Sequence, residues 1–138
     1  MSQERKLPGR LSELFKYYGR PQSRSELAVE REVYGINAGI NSYTTPAQAG
    51  LLGETLGLGP GVRLLEVGAG SGWPGVYLAK RTGCDVVLSD VSAEGIRGAL
   101  ARAIRERVYA RCSFAVASGA HLPFRARYFD AVVHTDVL

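Results

Sequence analysis

Short, continuous apolar runs alternate along the chain with longer segments in which apolar residues recur at helical spacing. Four runs have the character of buried strands: VRLLEVG, DVVLSD, CSFAVAS and FDAVVHTDVL. Strands that are apolar throughout, rather than at every second position, are typical of parallel sheets covered on both faces. Helical segments separate the first three runs, which gives a strand–helix–strand–helix–strand order. The pattern therefore predicts an α/β fold built on a doubly wound parallel sheet.

The helical segments carry start and stop signals. Thr45 followed by Pro46 predicts the start of the helix that precedes the sheet, and Ser92 predicts an N-cap before the longest amphipathic segment. Gly83 is the predicted stop of the helix after the first strand. In the amphipathic segment, helical spacing predicts an inward-facing stripe made of Ile96, Leu100, Ala103, Ile104 and Val108.

Residues 1–40 follow a different pattern. They are polar and mixed in charge, and glycines and prolines interrupt any long periodicity. Ser25 is the predicted N-cap and Gly35 the predicted stop of one short helix within them. We therefore interpret residues 1–40 as a partly helical arm or cap, and residues 41–138 as the domain that contains the sheet.

Composition narrows the possible classes of protein. A chain of 138 residues, 46% hydrophobic and 22% charged, suits one globular domain. No apolar run approaches the ~18 residues of a membrane span, and no apolar signal region follows the N-terminus. The two cysteines, Cys84 and Cys112, lack the spacing of metal ligands. We expect a cytoplasmic protein with free thiols, no membrane contact and no metal site.

The net charge of +4 is spread over segments of mixed sign. A group of arginines on and beyond the amphipathic segment could suggest nucleic acid, but acidic residues interrupt it, so we predict a solvated face. The group consists of Arg97, Arg102, Arg105, Arg107 and Arg111.

The stretch LLEVGAGSGWPGVYLAKRTGCDVVLSD carries the candidate chemistry. Gly68, Gly70 and Gly72 follow the first strand, Glu66 precedes them, and Asp90 ends the next strand. Ligands of open parallel sheets bind beyond the carboxyl ends of the strands, and glycines there permit a tight turn with an accessible backbone. The Asp90 carboxylate can accept two hydrogen bonds from adjacent ribose hydroxyls. Asp90 could instead cap the next helix, but Ser92 can fill that role, which favours the ribose interpretation.

Two residues argue against a dinucleotide at this turn. Trp73 occupies the place where the dinucleotide motif has glycine or alanine, and Pro74 removes a backbone N–H that a pyrophosphate would use. Glu66 adds a negative charge near the site. These features favour a cationic, adenosine-containing ligand over NAD.

The motifs EVGAGSG, Asp90 at the second strand end, ASGAHLPF and YFDAVVHTDVL occur in one order, and with them residues 44–138 resemble the class I S-adenosylmethionine-dependent methyltransferases. The resemblance implies a Rossmann-like sheet, S-adenosylmethionine as cofactor and a small-molecule methyl acceptor. It places the methionine portion at the glycine turn, the ribose at Asp90 and the adenine beside Val91 and the loop after the third strand. The implied cofactor-binding residues are Tyr43, Glu66, Gly68, Ala69, Gly70, Gly72, Asp90, Val91, Ser118, Gly119, Ala120 and His134.

His134, at the end of the fourth strand, is the candidate catalytic base for an acceptor that must lose a proton. It could equally be a polar strand-end residue that touches the cofactor through its backbone. Many family members have an acid at the position of Ser118, so a serine there implies a weaker contact with the adenine amino group. Residues 11–34 would close over the site as a lid in relatives with such an arm.

The family fold continues beyond the fourth strand, whereas this sequence stops at Leu138. We therefore expect the N-terminal half of the fold, as a fragment or truncated chain. Its fourth strand would form an open edge, at which a second copy or a partner chain could pair. Two alternatives stay open beside a methyltransferase or its cofactor-binding half. One is a non-catalytic module that binds S-adenosylmethionine, or nothing, and the less favoured one is an NAD-dependent oxidoreductase.

Overall fold

The computed structural model describes residues 9–135. Two helices come first, α1 (Gly9–Gly19) and α2 (Arg24–Tyr34), and α3 (Pro46–Thr55) precedes the sheet. The alternating part consists of β1 (Arg63–Val67), α4 (Gly75–Thr82), β2 (Asp85–Asp90), α5 (Ala93–Arg105), β3 (Cys112–Val116) and β4 (Ala131–Val133), with a short 3-10 helix (Tyr109–Arg111) before β3.

The four strands form one parallel sheet in the order β3-β2-β1-β4. Successive strands extend the sheet outward from β1 through β2 to β3, and the chain then returns to place β4 on the other side of β1. The carboxyl ends of β1 and β4 therefore border the crevice in which such sheets bind ligands. The prediction of an α/β fold with a parallel sheet is confirmed. β4 is shorter than the predicted run, and residues 136–138 lie outside the described residues.

The hydrophobic core lies between the sheet and the helices that connect its strands. Leu64, Val86 and Leu88 of the strands are buried in one cluster with Leu78 of α4 and Ala99 of α5. The small residues of α5 also permit close approach to the chain after β1. A Cβ atom added at Gly95, for example, would lie 3.0 Å from the carbonyl oxygen of Gly70. Packing of the core thus holds α5 directly against the glycine turn.

Several predicted helix signals are confirmed. The Thr45 hydroxyl accepts a hydrogen bond from the Gln48 N–H, and Pro46 occupies the first helical position of α3. The Ser92 hydroxyl caps α5 by accepting a hydrogen bond from the Gly95 N–H at 3.0 Å. Gly83 ends α4 with a left-handed φ of 77°.

The start of α2 differs from the prediction. Its N-cap is Ser23, and Ser25 lies inside the helix. The Ser23 hydroxyl accepts from the Glu26 N–H, while the Glu26 carboxylate accepts from the Ser23 N–H at 2.7 Å. This reciprocal capping box favours a helix start at Ser23 over one at Ser25, because it satisfies two backbone donors at once. Gly35 ends the helix as predicted, with a φ of 73°. The structure also places a second helix in the arm, α1, which packs against α5.

The inward face of α5 is only partly the predicted stripe. Ile96 and Ala103 are buried, but Ile104 is 59% exposed, and Arg102 is buried instead. The interpretation of Arg102 as part of a solvated face is therefore wrong, whereas Arg97, Arg105, Arg107 and Arg111 are exposed. Arg102 is covered because the arm lies over this part of α5, which periodicity within the helix could not reveal.

Within residues 9–135, no helix combines the length and apolar character needed to cross a membrane. The same residues contain no group of three His, Cys, Asp or Glu side chains that could hold a metal ion. Cys84 and Cys112 are buried free thiols.

Candidate functional site

The glycine turn after β1 requires its glycines. Gly68, Gly70 and Gly72 have φ values of 74°, 52° and 102°, in the left-handed region that side chains disfavour. At Gly72 an added Cβ would also lie 2.9 Å from Cγ2 of Val76 and 3.3 Å from Cα of Ala99. The turn therefore combines an unusual backbone path with close packing against α4 and α5.

The end of β2 holds this turn in place. The N–H groups of Gly68 and Ala69 both donate to the carbonyl oxygen of Ser89, at 2.8 and 3.0 Å. Asp90 adds a side-chain contact, because its Oδ2 accepts a hydrogen bond from the Gly70 N–H at 2.8 Å. The two strand ends and the turn thus form one connected unit.

The carboxylate of Asp90 is half-buried and faces the turn rather than solvent. Its Oδ1 accepts from the Ser92 N–H at 2.8 Å, so Asp90 is engaged with the backbone although Ser92 caps α5. Each carboxylate oxygen has two lone-pair sites. One hydrogen bond per oxygen therefore leaves capacity for two hydroxyl donors from a ligand.

Glu66 has the opposite surroundings. Its side chain is 1% exposed, and neither oxygen makes a well-formed hydrogen bond within the described part of the chain. Burial raises the pKa of Glu66 to about 8, the nearby Gly75 N–H opposes this in part, and the charge of Asp90 adds to it. The carboxyl lies so close to the start of α4 that a Cβ at Gly75 would overlap Oε2. Glu66 therefore lies beneath the turn as a largely neutral acid at pH 7.

The loop after β3 meets the same edge of the sheet. The Ala117 N–H donates to the carbonyl oxygen of Asp90 at 2.9 Å, and a Cβ at Gly119 would lie 3.1 Å from Cγ1 of Val67. Ser118 and Ala120 are exposed, and the Ser118 hydroxyl accepts from the Ala120 N–H at 3.2 Å. The predicted adenine loop therefore lies next to the ends of β1 and β2.

Three further predicted site residues, Val91, His134 and Tyr43, are exposed. Val91 follows Asp90 and is exposed. His134 is exposed and directly follows Val133, which pairs with Glu66 in the sheet, so it lies at the carboxyl end of β4. Tyr43 is 92% exposed and lines a cleft along α3. Their contacts with a ligand stay predictions.

Two contacts at the turn were not expected from sequence. The Trp73 side chain is buried, and its Nε1–H donates to the carbonyl oxygen of Thr44 at 2.9 Å. Asn41 donates through Nδ2 to the Ser71 hydroxyl at 2.9 Å. Both contacts connect the turn to the segment before α3. Long separation along the chain leaves no local signal for such contacts, although the burial of a lone Trp at a helix entrance could have suggested the first.

Comparison with known proteins identifies the family to which this chain belongs. Residues 64–138 match the methyltransferase domain family. The chain belongs to this methyltransferase family. The class I resemblance identified in the sequence is thereby confirmed, and with it the Rossmann-like character of the sheet.

The methyltransferase chain is similar to two curated proteins. It is 36% identical over 104 residues to methyltransferase GfsG of Streptomyces halstedii, covering 72% of this chain and 37% of the relative. It is 35% identical over 134 residues to the erythromycin 3''-O-methyltransferase of Saccharopolyspora erythraea, covering 85% of this chain and 44% of the relative. The chain thus spans less than half the length of either relative.

A solved structure shows the same relationship. The SAM-dependent methyltransferase from Geobacter sulfurreducens, determined in complex with S-adenosyl-L-homocysteine, superposes with a TM-score of 0.51 at 28% sequence identity. The match covers 67% of this chain and 36% of that one.

Proposed function

We propose that this methyltransferase chain binds S-adenosylmethionine at the carboxyl ends of β1 and β2, and that it belongs to an enzyme that methylates a small molecule. The observation that supports the proposal most strongly is Asp90. Its carboxylate faces the glycine turn, fixes the Gly70 N–H and retains capacity for two more hydrogen bonds.

The residues of the site fit a cationic adenosyl cofactor. The turn presents backbone without Cβ atoms, because side chains at Gly68, Gly70 and Gly72 would be strained. Glu66 is a buried acid without a well-formed hydrogen bond, so a positive charge above the turn would favour its ionised form. The Geobacter relative was determined in complex with S-adenosyl-L-homocysteine, which supports an adenosyl cofactor for this chain.

Bound S-adenosylmethionine supplies an activated methyl group on sulfur, so the chain's own residues mainly position the reacting groups and exclude water from them. Asp90 would accept the two ribose hydroxyls, and the glycine turn would receive the methionine portion. The loop of Ser118, Gly119 and Ala120 would lie along the adenine edge, with Val91 against its face. We assign the buried turn residue Ala69 and the exposed Tyr43 to the same site.

His134 is the proposed base for acceptors that carry a proton on the attacking atom. It lies at the carboxyl end of β4, beside the strand that carries the turn. Substitution of His134 by alanine should slow methyl transfer more than it weakens cofactor binding. An unchanged transfer rate in the enzyme would exclude this role.

A small-molecule acceptor is supported by one of the two curated relatives, which is an erythromycin 3''-O-methyltransferase. The two buried free thiols suit a reducing compartment such as the cytoplasm. Nothing in the site calls for a metal, a nucleic acid or a membrane, and the proposal includes none of them.

A second candidate is a non-catalytic module that binds S-adenosylmethionine, or nothing, and works through its sheet edge. In the described residues β4 pairs with β1 on one side, and Val132 is exposed. A second copy or a partner chain could pair there. An NAD-dependent oxidoreductase is disfavoured, because Pro74 at the entrance of α4 offers no N–H to a pyrophosphate.

Isothermal titration of the chain with S-adenosylmethionine, S-adenosylhomocysteine and NAD, in parallel, tests the proposal. We expect saturable heats with the first two compounds and none with NAD. Binding of NAD alone would overturn the proposal in favour of the oxidoreductase. Binding of none of the three would leave the sheet-edge module as the better account.

A further inference from the structure

The arm contains one acid with unusual surroundings. Glu30 is the buried residue of α2, all of whose residues are described, and it is 6% exposed. A buried carboxylate is costly unless hydrogen bonds satisfy it. Because Glu30 lies on an otherwise solvated helix, we expect the hydrogen-bond donors that satisfy its carboxylate to come from outside that helix.

Glu30 has three such partners. Oε2 accepts from Nε2 of Gln22 at 2.7 Å, and Oε1 accepts from the backbone N–H groups of Ala38 at 2.6 Å and Ile40 at 3.1 Å. Hydrogen bonds to a charged acceptor are stronger than neutral ones. The carboxylate thus fixes the course of the segment that leaves α2.

Gly39 lies between the two amides that donate to Glu30, and it allows this segment to pack closely on α5. It is buried with a φ of 72°, and a Cβ there would overlap the guanidinium of Arg102 on α5. Arg102 is 8% exposed and donates to Oε1 of Gln22 at 3.2 Å. Burial and the neighbouring Arg105 lower the pKa of Arg102, while Glu30 opposes this by its charge. Glu30, Gln22 and Arg102 therefore form one polar cluster between the arm and α5.

The segment continues directly to the glycine turn. One residue after Ile40, Asn41 donates to the hydroxyl of Ser71 at 2.9 Å. Ser71 lies between Gly70, which Asp90 holds, and Gly72, which packs on α5. The turn is thus held both by the β2 acid and by the segment that leaves the arm.

We propose that Glu30 is a positioning residue for the cofactor turn, acting through the backbone of Ala38 and Ile40 and through the Asn41–Ser71 hydrogen bond. The inference rests on the proposed function, since it assigns the arm a part in cofactor affinity. It makes the arm a support of the turn from behind, in addition to any role as a lid. Cofactor binding and the order of residues 38–41 are then thermodynamically coupled, and the coupling is reciprocal.

The first test compares Glu30→Gln with Glu32→Gln, an exposed glutamate on the same helix. Both variants lose one negative charge from α2, but only the first changes the buried cluster. Titration with S-adenosylhomocysteine should show a Kd raised roughly fivefold for Glu30→Gln and unchanged for Glu32→Gln. Equal affinities of Glu30→Gln and the unmodified chain, both folded by circular dichroism, would overturn the inference.

A second variant separates positioning from simple destabilisation. Asn41→Ala interrupts the same path without touching the buried cluster, and it should weaken binding by a similar factor. The double variant should lose no more than either single variant, because the two residues act in series. Multiplied losses would contradict a shared path and overturn the inference.

The unmodified chain offers a third measurement, which does not depend on any variant folding. S-adenosylhomocysteine should slow hydrogen exchange at the amides of Ala38 and Ile40, as reciprocity requires. Unchanged exchange at saturating ligand would overturn the inference but leave the proposed function standing. Failure of the unmodified chain to bind the compound would instead overturn the proposed function, and this inference with it.

Discussion

Glu66 lies one residue before the end of β1 and Asp90 ends the neighbouring strand β2, yet the two carboxyl groups have opposite surroundings. Asp90 is half-buried, and both its oxygens accept backbone N–H groups at 2.8 Å. Glu66 is 1% exposed, without a well-formed hydrogen bond in the described structure, and burial raises its pKa to about 8. Two acids that look equivalent in sequence therefore have opposite surroundings in the fold.

The difference separates two tasks within one site. Asp90 stabilises the turn, and by the proposed function its remaining acceptor capacity would serve a ligand without any other change. Glu66 contributes a charge only when something compensates for its burial, such as a cationic ligand above the turn. By the proposed function, the end of β2 is thus organised in advance, whereas the end of β1 would respond to a bound cofactor.

The strongest test of this contrast is the pH dependence of stability in Glu66→Gln. The pKa of Glu66 rises from its ordinary 4.5 to about 8 on folding, so the folded chain binds one more proton between these values. The contribution of Glu66 to the free energy of unfolding is therefore fully present below pH 4.5 and is lost as the pH rises through 8. Relative to the variant, the unmodified chain should lose on the order of 3 kcal/mol between pH 5 and pH 8.

Urea unfolding of both proteins at several pH values measures the difference, in which titration of all other groups cancels. A difference that stays constant with pH would show that Glu66 is ionised in the folded chain. The contrast between the two strand ends would then be wrong.

Much of the framework around these acids could be predicted from sequence. The apolar runs predicted the parallel sheet because fully buried strands need no polar face. Thr45 and Ser92 could be identified as caps because capping depends on residues three positions apart. The same reasoning could have found Ser23, since Ser23 and Glu26 have the spacing of a capping box.

Other features had no local signal. Arg102 is buried because the arm covers α5, and its hydrogen bond with Gln22, which precedes α2, joins residues 80 positions apart. The Asn41–Ser71 bond spans 30 positions. Sequence could place Glu66 and Asp90 at the strand ends, but the difference in their burial depends on where α4 begins and how tightly Gly75 packs.

Asp90→Ala should have the next largest effect, on cofactor binding. The change removes the acceptors of the Gly70 and Ser92 N–H groups together with the proposed ribose contact. Affinity for S-adenosylhomocysteine should fall at least roughly 30-fold, because even one hydrogen bond to a charged group contributes about 1.5–3 kcal/mol. Isothermal titration calorimetry of the variant and the unmodified chain measures this change in affinity.

The matched control for Asp90→Ala is Asp85→Ala, an exposed acid at the opposite end of β2. Its ion pair with Arg111 is solvent-exposed at 3.8 Å and contributes little. Similar affinities of the two variants would mean that the β2 end does not bind the cofactor.

The smallest expected effect concerns the division of labour between Asp90 and Ser92. Ser92 is buried, and its hydroxyl caps α5 through the Gly95 N–H, while Asp90 holds the N–H of Ser92 itself. Ser92→Ala should lower the free energy of unfolding by about 1 kcal/mol, since Asp90 is committed to the turn and cannot replace the lost cap. Ser25→Ala, an exposed position inside α2, should cost only a few tenths. Urea unfolding compares the two variants. A loss in Ser92→Ala no larger than that in Ser25→Ala would mean that Asp90 moves to cap α5, and that the end of β2 is less rigidly organised than its hydrogen bonds indicate.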